Sequence, residues 1–155
     1  MKTYLRTYKL NTGEEIEFFD ITSNIKKSVL ESKIFEGHVL IQPLHTTVGI
    51  YLNEFEERLI KYDLKSALYE EYPFVHGKYR HDDIHKREDC PENEPLNGHS
   101  HLKAMFCSNP SLSLVLFRGE LQMGEYQRII FAEFDGPCPR KNKSSRKYLV
   151  SIIGE

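Results

Sequence analysis

Two short segments, 78–89 (KYRHDDIHKRED) and 97–102 (NGHSHL), carry four of the seven histidines in this 155-residue chain. Imidazoles gathered near carboxylates serve proton transfer at neutral pH, metal ligation, or the orientation of another catalytic group. His81 and His85 stand at i, i+4, which brings them to one face if the segment is helical. Its apolar periodicity is too weak to require a helix, and a solvated charged loop is the plain alternative. His99 and His101 impose a sharper condition. On an extended segment they share a face, whereas on a helix they point about 200° apart. Both can hold one ion only if Gly98 and Ser100 keep the chain extended. If Asn97 caps a helix, His101 faces the body or the cleft and His99 takes another role. Two or three neutral imidazoles plus water form the open ligand set of a catalytic zinc, and they favour zinc over magnesium, which prefers oxygen ligands.

Other groups add to this constellation. His45 ends the run HVLIQPLH and opens into TTVGI. Strand ends that lead into such turns often present working side chains, although a histidine bonded to backbone would look the same. Glu54 and Asp63 are nine residues apart, so on one continuous helix they face about 180° from each other. Only a break near Asp63 brings both to one pocket. Asp135 lies in DGPCPR, which leads into RKNKSSRK, where five of eight residues are Lys or Arg. A solvated edge is the simple account of that stretch. The functional account is anion recruitment, with Arg140 shaped for bidentate phosphate contact. Cys90, Cys107 and Cys138 are odd in number, form no CxxC and have no base partner in the sequence. They read as reduced thiols of a cytoplasmic protein.

These residues must be positioned by a modest set of elements. TYLRTYKL and EIEFFDI flank NTG and predict a hairpin. A change of period at DITSNIKKSVLESKIFEG predicts a helix capped by Thr22 or Ser23 and stopped by Gly37. HVLIQPLH is a buried strand with Pro43 marking an edge position or a bulge. NEFEERLIKYDLKSALYEEYP is helical in period, with a second short helix starting at Asp63. Residues 76 to 98 form a long irregular stretch, a length of loop that is often functional. HLKAMFC reads as a helix, SLSLVLFRGELQMGEYQRIIFAEFDG as two strands about a glycine turn, and KYLVSIIGE as a closing strand. The order is not a regular βαβ alternation. It implies a single α+β domain over 1–155, with a mostly antiparallel sheet packed by a few helices.

Bulk composition excludes several classes. A net charge of −2 gives no global attraction to nucleic acid or to an anionic membrane surface. The first fifteen residues lack the apolar region of a leader, and no apolar run approaches the roughly 18 residues of a membrane span. The composition, 39% hydrophobic and 28% charged, suits one soluble core.

In order along the chain, HVLI, PLHTTVGIYLNE, YDL, YRHDD, NGHSHL, GELQMGEYQRIIFAEFDGP and YLVSIIG resemble the YjbQ-like proteins, a family often labelled secondary thiamine-phosphate synthase. The resemblance runs from about residue 18 to residue 153. It implies a compact α+β domain assembled as a homotrimer, with a cleft lined by His45, Glu54, Asp63, His81, His99, His101 and Asp135. In this chain Tyr126 stands where the family pattern has a tryptophan, and Cys138 stands where it has an arginine after DGP. The activity implied is transfer of a pyrimidine carbinyl group from its diphosphate to a thiazole phosphate.

Three functions follow from the residues and the resemblance together. The first is that transferase, with Arg140 holding phosphate. The second is a metal-dependent hydrolase of a small phosphorylated or cyclic substrate, in which His81, His99 and His101 hold a divalent ion, zinc before magnesium. In that reading Glu54 or Asp135 is the general base. The third is a binding module for a small molecule or a metal, without turnover. His45, His99 and His101 are expected in one cleft with His81 as fourth member, and His38, His76 and His85 outside it.

Overall fold

The computed structural model describes residues 1–91, 93–139 and 145–155. Strands β1 (Lys2–Leu10), β3 (Gly37–Pro43), β5 (Leu112–Phe117), β6 (Glu120–Leu121) and β8 (Arg146–Gly154) form one sheet in the order β1-β8-β3-β5-β6. Strands β2 (Glu17–Asp20), β4 (Val48–Glu54) and β7 (Gln127–Glu133) form a second in the order β2-β7-β4. Every pairing between these strands is antiparallel. The helices are α1 (Thr22–Ser32), α2 (Lys65–Glu71) and α3 (Gly98–Cys107). The fold is therefore the α+β domain expected.

β7 explains the layering. Its core, IIFAE, is buried on both faces, so it reads as a continuous apolar run and not as an alternation. Ile129 and Phe131 pack with Ile41, Val150 and Ile152 of the larger sheet and with Ile25 and Val29 of α1. Ile130 and Ala132 turn the other way, onto Ile60, Leu68 and Ala104 of the helical layer. The smaller sheet is thus the middle layer between the larger sheet and the α2 and α3 helices.

Several local expectations are corrected. β1 and β2 do not form a hairpin: β1 pairs along its length with β8, and β2 pairs with β7 in the other sheet. The connecting residues carry buried Ile16 into the cluster with Ile60, Leu68 and Ala104, and pair Thr12 with Cys138. β3 is central, between β8 and β5. Pro43 is tolerated because the β5 pairing has ended at Ile41, while the next amide, Leu44, donates to Lys147 of β8. Thr22 receives its cap from Asp20 Oδ1 at 2.9 Å, and α1 ends at Lys33 in a left-handed conformation, before Gly37. No new helix starts at Asp63. A π-helical turn, Leu59–Leu64, runs directly into α2. The stretch around Arg118 and Gly119 closes a tight β5–β6 hairpin, with both residues at positive φ, and β7 then joins the other sheet.

Replacing fully buried Ile152 by Ala should lower unfolding free energy by about 2–5 kcal/mol, read from the urea midpoint, because the residue sits where both sheets and α1 meet.

Candidate functional site

The site is built around an ion pair between the two sheets. Glu133 ends β7 and Arg146 begins β8. Arg146 donates from Nε to Glu133 Oε2 at 2.6 Å and from a terminal nitrogen to Oε1 at 3.0 Å, with both side chains buried. The Thr12 hydroxyl and the Asp135 amide also donate to this carboxylate, at 3.1 and 3.0 Å. A buried bidentate pair is tolerable only when its remaining lone pairs and protons are met in this way. Burial works against the arginine's charge, but the hydrogen bond and charge of Glu133 outweigh it and hold Arg146 above its ordinary pKa.

The same guanidinium organises His45. It donates to Thr47 Oγ1 at 3.4 Å, so the Thr47 hydroxyl is left to donate to His45 Nδ1 at 2.9 Å. The Thr47 amide points at Nδ1 as well, at 3.3 Å. A neutral His45 therefore carries its proton on Nε2.

In front of this pair lies a cleft of about 120 Å³, lined by His45, Glu94, Asn97, His101, Asp135 and Arg146 among others. Asp135 is buried and accepts from Asn97 Nδ2 at 2.9 Å. Gly136 keeps the loop close: its amide donates to the Glu15 carbonyl, and a Cβ there would meet the Glu14 carbonyl oxygen at 1.9 Å. His101 is half-buried, with its ring centroid 4.5 Å from that of His81. Burial first, and the His81 charge second, push the His101 imidazole below its ordinary pKa, opposed by Asp135. At neutral pH it is an uncharged base facing a carboxylate.

Helix α3 separates the two histidines of HSH. Asn97 precedes the first turn, and Asp82 Oδ1 accepts the Gly98 amide at 2.9 Å, placing a carboxylate at the helix N-terminus. His99 points away from His101. It donates from Nε2 to Glu15 Oε1 at 3.1 Å and packs against Phe74, their ring centroids 5.3 Å apart. This hydrogen bond draws the Glu15 carboxyl below its usual value. One turn on, fully buried Lys103 stands 3.8 Å from the same oxygen and 5.1 Å from the Tyr69 ring centroid, its Nζ without a hydrogen-bond partner. Burial pushes its pKa down.

The expected set is thus brought together in part. His45, His101 and Asp135 share the cleft, and His81 adjoins it through His101. His99 is not a partner of His101 in one ligand set, because positions two apart on a helix point about 200° from each other. Glu54 and Asp63 are exposed and do not line the cleft: Glu54 ends β4 opposite Gln127, and Asp63 lies within the π-helical turn, so the two never share one helix. Arg140 lies outside the described residues. Two interactions bear on the zinc reading. Arg87 donates toward His81 Nε2 at 3.4 Å, and His81 Nδ1 faces Asp82 at 3.6 Å. Among the described residues no three His, Cys, Asp or Glu side chains converge as metal ligands. Sequence reasoning missed Glu133, Arg146, Glu94 and Lys103. The one signal was the charge of Glu133 inside IIFAEF, since a carboxylate in a doubly buried strand requires a partner.

A family model described as UPF0047 protein YjbQ-like matches residues 6–155. The chain belongs to the YjbQ-like UPF0047 family. A UPF0047 protein of Methanothermobacter thermautotrophicus is 31% identical over 155 residues, all of this chain and 95% of the relative. One of Archaeoglobus fulgidus is 34% identical over 132 residues, covering 85% and 92%. A crystal structure from Sulfolobus solfataricus, titled as a YbjQ-like protein of unknown function, superposes with TM-score 0.83 at 29% identity over 99% of each chain. A family structure from Clostridium acetobutylicum does so with TM-score 0.78 at 33% identity, over 96% and 99%.

In this YjbQ-like chain, Glu133→Gln should cost about 3–5 kcal/mol in chemical denaturation, because it leaves the Arg146 charge buried beside a neutral amide. Proton-detected titration should find His101 below the ordinary 6.5, and His81→Ala should move it upward by removing a positive neighbour. The folded His101 holds its proton less tightly than the unfolded one. Its contribution to stability is therefore whole above 6.5 and is lost as pH falls through the lowered folded value.

Proposed function

We propose that this chain is an acid–base enzyme acting on a small polar molecule in the cleft between His45, His101 and Asp135. The observation that carries the reading is the convergence of His101, His45 and buried Asp135 on one cleft, where burial favours the neutral form of His101. Such a base takes a proton from the substrate, and Asp135, oriented by Asn97, stabilises the imidazolium that forms. His45, with its proton on Nε2, supplies a donor for a developing oxyanion.

Beside that reading we place the reaction implied by the sequence resemblance, a substitution in which no proton is removed, so that His101 and His45 would act there as hydrogen-bond partners of the reactants and not as bases. The thiazole nitrogen attacks the pyrimidine carbinyl carbon, a C–N bond forms, and the C–O bond to diphosphate breaks with release of pyrophosphate. The leaving group needs cations, and Arg146 is already committed to Glu133. That role falls to the basic segment that begins at Arg140. A second reading, hydrolysis assisted by a divalent ion with zinc preferred over magnesium, draws on the His81–His101 pair. Two imidazoles on one tetrahedral zinc place their centroids roughly 5 Å apart, near the 4.5 Å found here.

We also propose a cytoplasmic homotrimer that meets neither membrane nor nucleic acid. Among the described residues no helix is long and apolar enough to cross a membrane. The outer face of the larger sheet exposes Leu5, Leu40, Val115, Phe117 and Ile153. The register places Leu5 and Leu40 on either side of Ser151, with Val115 and Ile153 flanking His38, so these side chains form one patch suited to a second copy.

His101→Ala should reduce thiamine phosphate formation from the two precursors by about 10²-fold with the fold intact by circular dichroism, through loss of a preorganised hydrogen-bond partner. An unchanged rate removes His101 from the chemistry of the cleft. Element analysis of untagged protein tests the second reading: His101→Ala should lower zinc well below one ion per chain. A wild type with neither turnover nor metal leaves a binding module. Light scattering of wild type should give a trimer, and Leu40→Glu with Ile153→Glu should give an 18.2 kDa monomer.

A further inference from the structure

We infer that the cleft continues past His45 into an apolar subsite that takes a neutral, planar ring of the substrate. The inference rests on the proposed acid–base cleft and adds to it the shape of the molecule that binds there. A second hollow, of about 420 Å³, is lined by Pro43, Val48, Ala104, Met105 and Pro110, and it shares His45 and Thr46 with the first. The two compartments therefore adjoin at His45 and Thr46.

Their chemistry is opposite. The first holds Glu94, Asp135 and Arg146, whereas among the described residues no Asp, Glu, Lys or Arg lines the second. Burying a charged group there would leave it unpaired, so the lining selects a neutral one. The space is ample for a ring, since an apolar cavity of about 150 Å³ already admits benzene. Two prolines offer flat apolar faces. Met105 is an exposed, unbranched thioether on α3 that can close over an aromatic face from the solvent side. Gln42 at the rim supplies an amide for a ring nitrogen or oxygen.

One helix serves both compartments, with His101 presented to the polar one and Ala104 and Met105 to the apolar one. A substrate with a ring joined to a polar or anionic head by a single atom would set the joining bond beside His45. The substrate class is then a small aryl- or heteroaryl-linked polar compound.

The test compares phenyl phosphate with methyl phosphate by calorimetry, and benzyl alcohol by saturation-transfer NMR, on the full-length protein. Phenyl phosphate should bind about tenfold more tightly than methyl phosphate, as expected for burying one ring face. The exposed double variant Met105→Ser, Pro110→Ser should reduce that advantage to below about threefold and leave methyl phosphate affinity unchanged. Equal affinities for the two esters in wild type, or an advantage retained in the variant, overturns the subsite. If neither ester binds, an anionic head in the polar cleft is what fails, and benzyl alcohol decides the rest. Saturation transfer lost in the variant upholds the ring subsite, and transfer absent or unaltered removes it. A variant that changes the oligomer in light scattering without changing ring affinity assigns the hollow to a second copy instead.

Discussion

Two charges taken out of water between two sheets set the terms for much of this molecule. Burying Arg146 and Glu133 is unfavourable unless every lone pair and proton finds a partner, and the partners come from three parts of the chain besides the pair itself. Thr12 arrives from the connection after β1, Thr47 from the turn before β4, Asp135 from the loop after β7, and Arg146 opens β8. Satisfying the pair thereby fixes the relative placement of the loops that form the cleft. His45 is held through Thr47, and Asp135 through its backbone, whose carbonyl also accepts from Arg146 at 3.4 Å. One ion pair thus anchors both the His45 turn and the Asp135 loop at the cleft wall.

Helix α3 is the second constraint. Its residues divide the polar groups of the region by angle alone into a set that faces the cleft and a set that faces Glu15. His101 faces the cleft, while His99 and Lys103 lie one turn apart on the opposite side and share Glu15. Lys103 is completely buried and its ammonium lacks a hydrogen bond, which lowers the stability of this layer. The nearby Glu15 carboxylate and Tyr69 ring offset part of that cost. Asp82, brought in by the long loop, meets the helix N-terminus, so the histidine-bearing segment is tied to the helix it serves. The length of that loop has a structural reason: it must reach from the end of α2 to the start of α3 while setting His81 over His101.

The sequence alone determined the class of fold, most of the elements, and the neighbourhood of the chemistry. Apolar period distinguished helices from strands, and the type and spacing of His45, His101 and Asp135 marked residues that do share a cleft. It also stated the condition that divides His99 from His101, which is a matter of local geometry. Glu54, Asp63 and the β1–β2 pairing were misread because each depends on non-local events. A π-helical turn absorbed the break expected at Asp63, and β1 found a longer partner in β8 than β2 could offer. Which strand pairs with which is decided by burial of whole faces, information that no short window contains. The ion pair was hidden for the same reason. Glu133 and Arg146 are 13 residues apart in sequence and look like a core irregularity and part of a basic tail. Only when two sheets closed on each other did the low dielectric between them force those two charges together and turn scattered polar residues into one site.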